Sequence, residues 1–584
     1  MYLQRSPSGA AVVPNVIGGE VVSLPESQNF PVVQGSTGDT IHYAQSATVD
    51  VGINAVETAA EAFKTWRKTP LAQRRAILDK VADILDTKAE ELAKREIPET
   101  SCDPHWPEFE VTWASKFVRE TSAHVSTVCG SIPDSEIPGT TSLVFREPVG
   151  VVLTIIPWNA PTILACRGIA AALAAGCTVV FKASELCPWT HQLVLEVFAE
   201  AGLPAGALNK IQCSRADGPA VTEAIISHPA LRKVEFIGSA AVGRIIGSVA
   251  AKHLKPVLME LGDQSPTIVL EDADLKAAVQ NCLQATIAHH GQICFGTERI
   301  IVHEKVAREF TQLLVEAAKS VPSAGHAITV EGAKHAHDIL EAAVADGAKF
   351  LVGSAKYTGR TSLEPSILTG VDPKSRLSRE ESFAPSASLY VVKSDEEALA
   401  LANDTPYGLS ASVFTRNHAK GLALARDLEF GQVQINSHTM SINVAAPQTG
   451  FKGSGWGSNG AAYGIGEFLF SKHVSLAPCT SYVQCSRYYL NDYPSSLDKY
   501  QYHNSRWHIK YQHLFKDDLI IEQQIHCVGW GVEFWRQPFI VLYLFVSPQQ
   551  PSRCLLAQRH QALASRLLDY QSVYVVIEHL ALVA

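Results

Sequence analysis

The chain has 584 residues, room for roughly three to four ordinary domains. Apolar residues make up 46% and charged residues 18%, which excludes a wholly disordered chain; 38 Gly and 30 Pro are ordinary and exclude collagen-like or low-complexity classes. A formal charge of −9 lacks the basic footprint of a nucleic-acid or anionic-membrane binder, so neither partner is expected.

Residues 1–48 read as loops and short strands. From 47 to 69 the pattern turns helical, with Thr48 or Asp50 as cap and Ala55, Ala59, Ala62, Phe63 and Trp66 at helical spacing. A second helix follows Pro70, and a third covers 113–126. Residues 128–149 alternate and carry Gly130, Pro133, Pro138 and Gly139, the marks of a hairpin arm. Apolar, β-branched runs then appear at 149–156, 177–182 and 234–238, separated by Ala-rich helical stretches. Buried strands alternating with helices predict an α/β fold built on a doubly wound parallel sheet. A second alternating set runs from 298 to 436, so two such sheets are expected. Beyond Pro478 the character changes: 478–584 holds two Gly, three of the nine Trp and six of the 21 His, without clear periodicity.

None of the 12 Cys forms a CxxC pair, so zinc-ribbon and thioredoxin chemistry have no support, and no metal is expected. The N-terminus lacks the apolar core of a secretory signal, and the longest apolar run, 539–546, falls short of the ~20 residues of a membrane helix. The expected location is the cytoplasm.

Five short stretches carry chemistry. Gly291 to Cys294 (GQIC) puts a cysteine in a turn after a helical stretch, where a nucleophilic thiolate can be exposed. Glu260 in LMELGDQSP ends a strand, where a carboxylate can activate water. Asn159 in PWNAP offers a neutral amide donor to an oxyanion. Lys182, Ser184 and Glu185 close the strand in FKASE, placed for a ribose diol. Gly238, Ser239 and Gly243 in FIGSAAVG lead from a strand into a helix, where glycines let a phosphate approach the helix N-terminus. Singly, each has a plainer reading: a core cysteine, a capping glutamate, a turn asparagine. Together they fall in order at strand or helix ends between 157 and 294.

This constellation resembles the aldehyde dehydrogenase superfamily over about residues 30–478. Glu260-Leu261-Gly262 and Gly291-Gln292-Ile293-Cys294 match its glutamate and cysteine signatures. Further matches lie at Glu381 to Pro385 (ESFAP), Asn403 to Leu409 (NDTPYGL) and Lys452 to Gly455 (KGSG). The resemblance implies that Cys294 attacks an aldehyde, Asn159 holds the oxyanion and Glu260 activates the hydrolytic water. It also implies NAD as cofactor, with NADP as the alternative. Lys182, Ser184 and Glu185 would meet the adenosine ribose and Ser239 the pyrophosphate. Trp158, Glu381 and Phe383 would meet the nicotinamide end.

The implied organisation is a Rossmann-like coenzyme-binding domain (1–123 with 149–260), a catalytic domain (261–436) and an oligomerisation arm (124–148 with 437–477). The strand at 471–476 would serve the interface of a homodimer or homotetramer. Residues 478–584 have no family counterpart and are expected to be poorly ordered. Three departures from the family pattern stand near the site: Asp263, a charge that tolerates φ > 0, Gln264, and Ala384 in place of glycine. Trp106, Trp113, Trp158, Arg167 and Phe295 are the expected substrate-tunnel residues. Trp106 and Arg167 in their local context resemble the salicylaldehyde and vanillin dehydrogenase branch, which implies an aromatic aldehyde with Arg167 facing a phenolate. The competing reading is an impaired member that acts as a structural or interaction protein.

Overall fold

The computed structural model describes residues 3–6, 9–321 and 325–477, and the backbone of two short strands further on. The chain divides into two units, 1–479 and 480–584. Within the second, Ile540–Val541 and Val573–Tyr574 pair in parallel; the expectation of a poorly ordered extension lies otherwise outside the described residues.

The apolar runs become the strands of a sheet buried on both faces. Its parallel core is ordered Val257–Glu260, Leu231–Ile237, Val151–Ile155, Thr178–Lys182, Leu208–Ile211. Antiparallel edges close it: Gly455–Trp456 on one side, Val16–Ile17 with Glu20–Val21 on the other. Helices Val49–Trp66 and Pro161–Ala175 pack against it; the Thr48 side chain caps the first by accepting from the Val51 N–H at 3.3 Å. The second is buried along its whole length, which its Ala-rich sequence allows by letting neighbours approach on every side.

A second sheet is ordered Lys349–Val352, Ser366–Thr369, Ser386–Val392, Thr297–His303, Ser265–Val269, Ser410–Phe414, Gln432–Ile435, parallel except for its first pair. The protein is thus an α/β protein with two parallel-based sheets. Strand Thr141–Pro148 pairs antiparallel along its whole length with Leu469–Leu476, forming a separate two-stranded ribbon. Within 128–149 itself only a single bridge forms, Ser131 to Val144, so the arm is completed by the distant strand and not by a local hairpin.

The third helix begins earlier than its periodicity predicts, at Trp106, because Pro107 sits in the first turn, where a missing N–H leaves no bond unmade. Helix Ala89–Thr100 is not foreshadowed by the sequence pattern; Pro98 within it reads as a breaker but falls in the last turn. Among the described residues no helix is long and apolar enough to cross a membrane.

Candidate active site

The two sheets are joined by a short crossing. Glu260 ends a strand of the first and Ser265 begins a strand of the second, so 261–264 lie between the two sheets. The crossing is pinned by the KGSG segment: the Leu261 N–H donates to the Ser454 carbonyl at 2.9 Å, and Ser454 Oγ donates to the Gly262 carbonyl at 2.8 Å. Glu260 is 4% exposed.

Cys294 arrives from the other direction. Helix Leu275–Ile287 ends in a tight turn in which His289 (φ 50°), His290 (φ 59°) and Gly291 (φ 73°) all take positive φ. Gly291 is required there: a Cβ would lie 1.9 Å from the Ala384 carbonyl oxygen. The turn delivers the Cys294 thiol, which donates to Glu260 Oε1 at 3.5 Å. Burial, then the Glu260 and Glu381 carboxyls, push the thiol well above its ordinary value, while Arg167 opposes the rise. Asn159 is buried, and its amide donates to the Gln292 carbonyl at 3.1 Å, which ties the asparagine to the cysteine turn. Glu110 supports it from beneath: its Oε2 accepts the Thr162 and Ile163 N–H groups at 2.6 and 3.2 Å, at the start of the helix that follows Asn159. Burial holds the Glu110 carboxyl up at about 8.

Cys294 and Asn159 both line a cavity of about 550 Å³. Aromatic side chains stand in its wall among aliphatic and polar ones: Trp106 lies face to face with His289 (4.3 Å between centroids, 4° between planes) and stacks on Phe109 at 5.0 Å. Phe117 and Phe295 add to the lining. His289 is neutral, its pKa pushed down to about 3 by burial and then by His290, with the Asn159 backbone opposing. Of the expected tunnel residues, Trp106, Arg167 and Phe295 line this cavity; Trp113 and Trp158 do not. Trp113 packs against Phe109 and under the Lys116 ammonium, and Trp158 meets Phe383 edge-on at 5.8 Å. Arg167 does not present a free cation either. Its Nη2 lies 2.5 Å from Glu260 Oε2, and its Nη1 donates to Gln448 Oε1.

Where strand Thr178–Lys182 ends, Lys182 and Glu185 remain partly exposed, and Ser184 Oγ accepts the Leu186 N–H at 3.2 Å. Ser239 caps helix Ala240–Lys252. The two glycines beside it are also places of close packing. A Cβ on Gly238 would lie 2.8 Å from the Phe236 ring, and one on Gly243 would lie 2.6 Å from the Leu261 side chain, so both serve close packing. Glu381 Oε1 accepts the Asp263 N–H at 3.1 Å, and burial followed by Glu298 and Asp263 raises its carboxyl well above the usual range. These groups suit a dinucleotide: a diol-binding pair, a helix N-terminus, a buried carboxyl and an aromatic corner.

The departures take plain structural roles. Asp263 needs no left-handed backbone; its buried carboxylate accepts from Ser265 Oγ (2.6 Å) and the Ser410 N–H (2.9 Å), tying the crossing to the second sheet. Gln264 Nε2 donates to the Leu377 and Glu380 carbonyls. Ala384 packs with Ala336 and Leu363. Sequence reasoning missed Glu298, Gln448 and His289. Glu298 Oε1 accepts the Ser382 and Phe383 N–H groups at 2.9 and 3.0 Å and so shapes the turn bearing Glu381 and Phe383. A Glu after the cysteine motif was its only sequence signal.

Residues 23–474 match the model of the aldehyde dehydrogenase family. The chain is 38% identical to a vanillin dehydrogenase of Pseudomonas fluorescens over 473 residues, 80% of this chain and 98% of the relative. The structure of a salicylaldehyde dehydrogenase from Pseudomonas putida G7, complexed with salicylaldehyde, superposes with TM-score 0.78 at 34% identity, covering 80% of this chain and 99% of that one. A betaine aldehyde dehydrogenase from Staphylococcus aureus in complex with NAD+ gives 0.77 at 29% identity, covering 81% and 96%. The match over residues 23–474 shows that the chain belongs to the aldehyde dehydrogenase family: it is an aldehyde dehydrogenase that uses NAD(P).

Proposed function

We propose that the protein oxidises aromatic aldehydes to carboxylic acids, with NAD as the preferred acceptor and Cys294 as the covalent nucleophile. The observation that carries this reading is the cavity lined by Cys294 together with Trp106, Phe109, Phe117 and Phe295, with Glu260 Oε1 3.5 Å from the Cys294 sulfur. The similarity to vanillin and salicylaldehyde dehydrogenases supports the substrate class.

Glu260 takes the thiol proton, and the thiolate attacks the aldehyde carbon; the C–S bond forms as the carbonyl pair moves to oxygen. The resulting oxyanion is met by the Asn159 amide hydrogen not engaged by Gln292 and by the Cys294 backbone N–H. Bound NAD supplies the hydride acceptor. Collapse of the oxyanion expels hydride from the same carbon and leaves a thioester on Cys294. Glu260, relieved of its proton, deprotonates water, which attacks the thioester; the C–S bond breaks and the acid leaves.

Trp106 and Phe295 would flank an aromatic ring. Lys182, Ser184 and Glu185 would hold the adenosine ribose, Ser239 and the backbone after Gly238 the pyrophosphate, and Trp158, Glu381 and Phe383 the nicotinamide end. Glu185 would repel a 2′-phosphate, which favours NAD over NADP. We place the enzyme in the cytoplasm, since all eight described cysteines are free. We assign it a homodimer or homotetramer, since Phe145 (46%), Phe470 (43%) and Leu476 (52%) stand exposed on the ribbon. The test is formation of NADH or NADPH from benzaldehyde, hydroxybenzaldehydes and hexanal by the pure protein. A higher kcat/KM for hexanal than for every aromatic aldehyde would refute the substrate class.

A further inference from the structure

Arg167 is an unusual occupant of an otherwise apolar helix. Its neighbours in Pro161–Ala175 are small or aliphatic, and it is 3% exposed. Its guanidinium spans two groups that the chain brings from far apart. Nη2 meets Glu260 Oε2 at 2.5 Å, and Nη1 meets Gln448 Oε1. The other Glu260 oxygen accepts from the Cys294 thiol. The carboxylate is therefore held between the arginine and the nucleophile, one oxygen on each.

Asp103, His105, His289, His326 and His438 line the same cavity as Cys294 and Arg167. Cys294 faces Glu260 from the cysteine turn, and Glu381 adds negative charge from the second sheet. Glu235, fully buried on the strand beside that of Glu260, receives the Thr154 hydroxyl at 3.2 Å, and a Cβ on Gly168, the residue after Arg167, would lie 2.3 Å from its carboxylate. Lys233 acts weakly on Glu235 and is held by Glu467 at 2.7 Å. Glu260 and Glu381 thus set negative charge against the thiol, Glu235 stands on the strand beside that of Glu260, and the Arg167 cation is paired directly with Glu260.

We propose that Arg167 is a positioning residue that holds the Glu260 carboxyl aimed at Cys294, and thereby sets the pH at which the thiol reacts, whatever aldehyde is offered. This replaces the expectation of a cation facing a substrate phenolate. A planar fork suits such positioning because it fixes the carboxylate in orientation as well as charge, which a lysine ammonium cannot do. The inference rests on Glu260 being the base of the mechanism above, and its main test needs no aldehyde.

Iodoacetamide alkylates thiolates. The rate at the Cys294 peptide is followed by mass spectrometry across pH in wild type, Arg167→Met and Arg167→Lys, with exposed Cys129 as internal control. Without the guanidinium the Cys294 thiolate loses the Arg167 charge that favours it. The Arg167→Met profile should move to higher pH by about one unit, so that labelling below the midpoint slows roughly tenfold while Cys129 is unaffected. Arg167→Lys should fall midway. With aldehydes, kcat should drop similarly for benzaldehyde, hydroxybenzaldehydes and hexanal. An unmoved labelling profile, or a loss confined to the KM of hydroxylated aldehydes, would overturn the proposal and make Arg167 a substrate anchor. If Arg167→Met does not fold, the lysine variant decides alone: a labelling profile equal to wild type overturns the proposal. A wild-type preference for hexanal would sink the aromatic reading and leave this one standing.

Discussion

Replacing Gly291 with Ala should separate stability from chemistry at the point where the two sheets meet. The glycine has φ 73°, and an added Cβ would lie 1.9 Å from the Ala384 oxygen, 2.2 Å from its carbonyl carbon and 2.7 Å from the Pro385 nitrogen. A carbon and a carbonyl oxygen approach no closer than roughly 3.3 Å, so something must move by about 1.4 Å. The obstacle is backbone, and that backbone is fastened: the Ser382 and Phe383 N–H groups bind Glu298, and the Ser366 N–H donates to the Pro385 carbonyl at 2.9 Å. The cysteine turn must therefore give way. Left-handed backbone at a non-glycine residue costs about 1–3 kcal/mol, and the forced displacement costs a similar amount, so a loss of roughly 2–5 kcal/mol is expected. Because Cys294 lies three residues on, and because a 1 Å misplacement of reacting groups can cost about a hundredfold, kcat/KM should fall at least that far. Urea unfolding and steady-state NADH formation on the same preparation measure both. A variant with wild-type midpoint and turnover would show that Ala384 can recede and that the contact does not hold the nucleophile.

Three further outcomes follow from the site. Cys294→Ala should abolish aldehyde oxidation while leaving NAD binding intact by fluorescence titration; appreciable NADH production would remove Cys294 as nucleophile. Glu260→Gln should slow the NADH burst in stopped flow, because the thiol loses its proton acceptor, and should slow thioester hydrolysis as well; unchanged steady-state turnover would refute its role as base. Glu235 has a folded pKa raised to about 7, by burial first, with Arg167 and the Thr154 hydrogen bond opposing. A raised carboxyl adds stability that is whole below its unfolded value near 4.3 and is lost as pH climbs through about 7. Glu235→Gln should therefore flatten the decline in unfolding midpoint between pH 5 and 8 by up to about 3 kcal/mol; a decline as steep as wild type's would place that loss on other groups, Glu298 among them, whose pKa is also raised to about 7.

The parallel strands were legible because burial on both faces leaves continuous apolar runs such as 149–156. Strand Leu208–Ile211 was not, since Asn209 and Lys210 interrupt it; both are fully buried, and Lys210 Nζ is satisfied by Gln192 and Gln212 at 3.0 and 2.6 Å. Strand Ser265–Val269 was hidden by Pro266 in its second position. Of the site, the residues at element ends were legible because motif and strand end coincide. The partner of Arg167 was not: helical spacing places it on the side of Asn159, but the reach of a guanidinium to Glu260 and Gln448 depends on how three distant segments pack. The aromatic pairing of Trp106 with His289 escaped notice for the same reason, being a contact between a helix start and a turn far along the chain.

The matched KGSG segment shows how a motif close to chemistry can act without touching substrate. Gly455 pairs with Glu260 in the edge strand of the first sheet, at φ 113°, and a Cβ there would lie 2.2 Å from the Met259 carbonyl oxygen. Ser454 Oγ reaches in two directions, donating to the Gly262 carbonyl and accepting the Gly408 N–H at 2.9 Å. Lys452 Nζ donates to the Asn403 carbonyl at 2.9 Å and pairs with Glu429, so its charge is spent on the second sheet's loops. Each of these bonds lands on the strand end, the crossing or the NDTPYGL loop, and none of these side chains lines the cavity. The segment therefore fixes where Glu260 stands as the chain leaves one sheet for the other. Its effect on catalysis should pass wholly through the base: Ser454→Ala should slow Cys294 acylation, read as the burst in stopped flow, and deacylation alike, while NAD affinity stays near wild type. Weakened NAD affinity with burst and turnover unchanged would mean that the segment serves the coenzyme and not the base, and this reading of its role would be wrong.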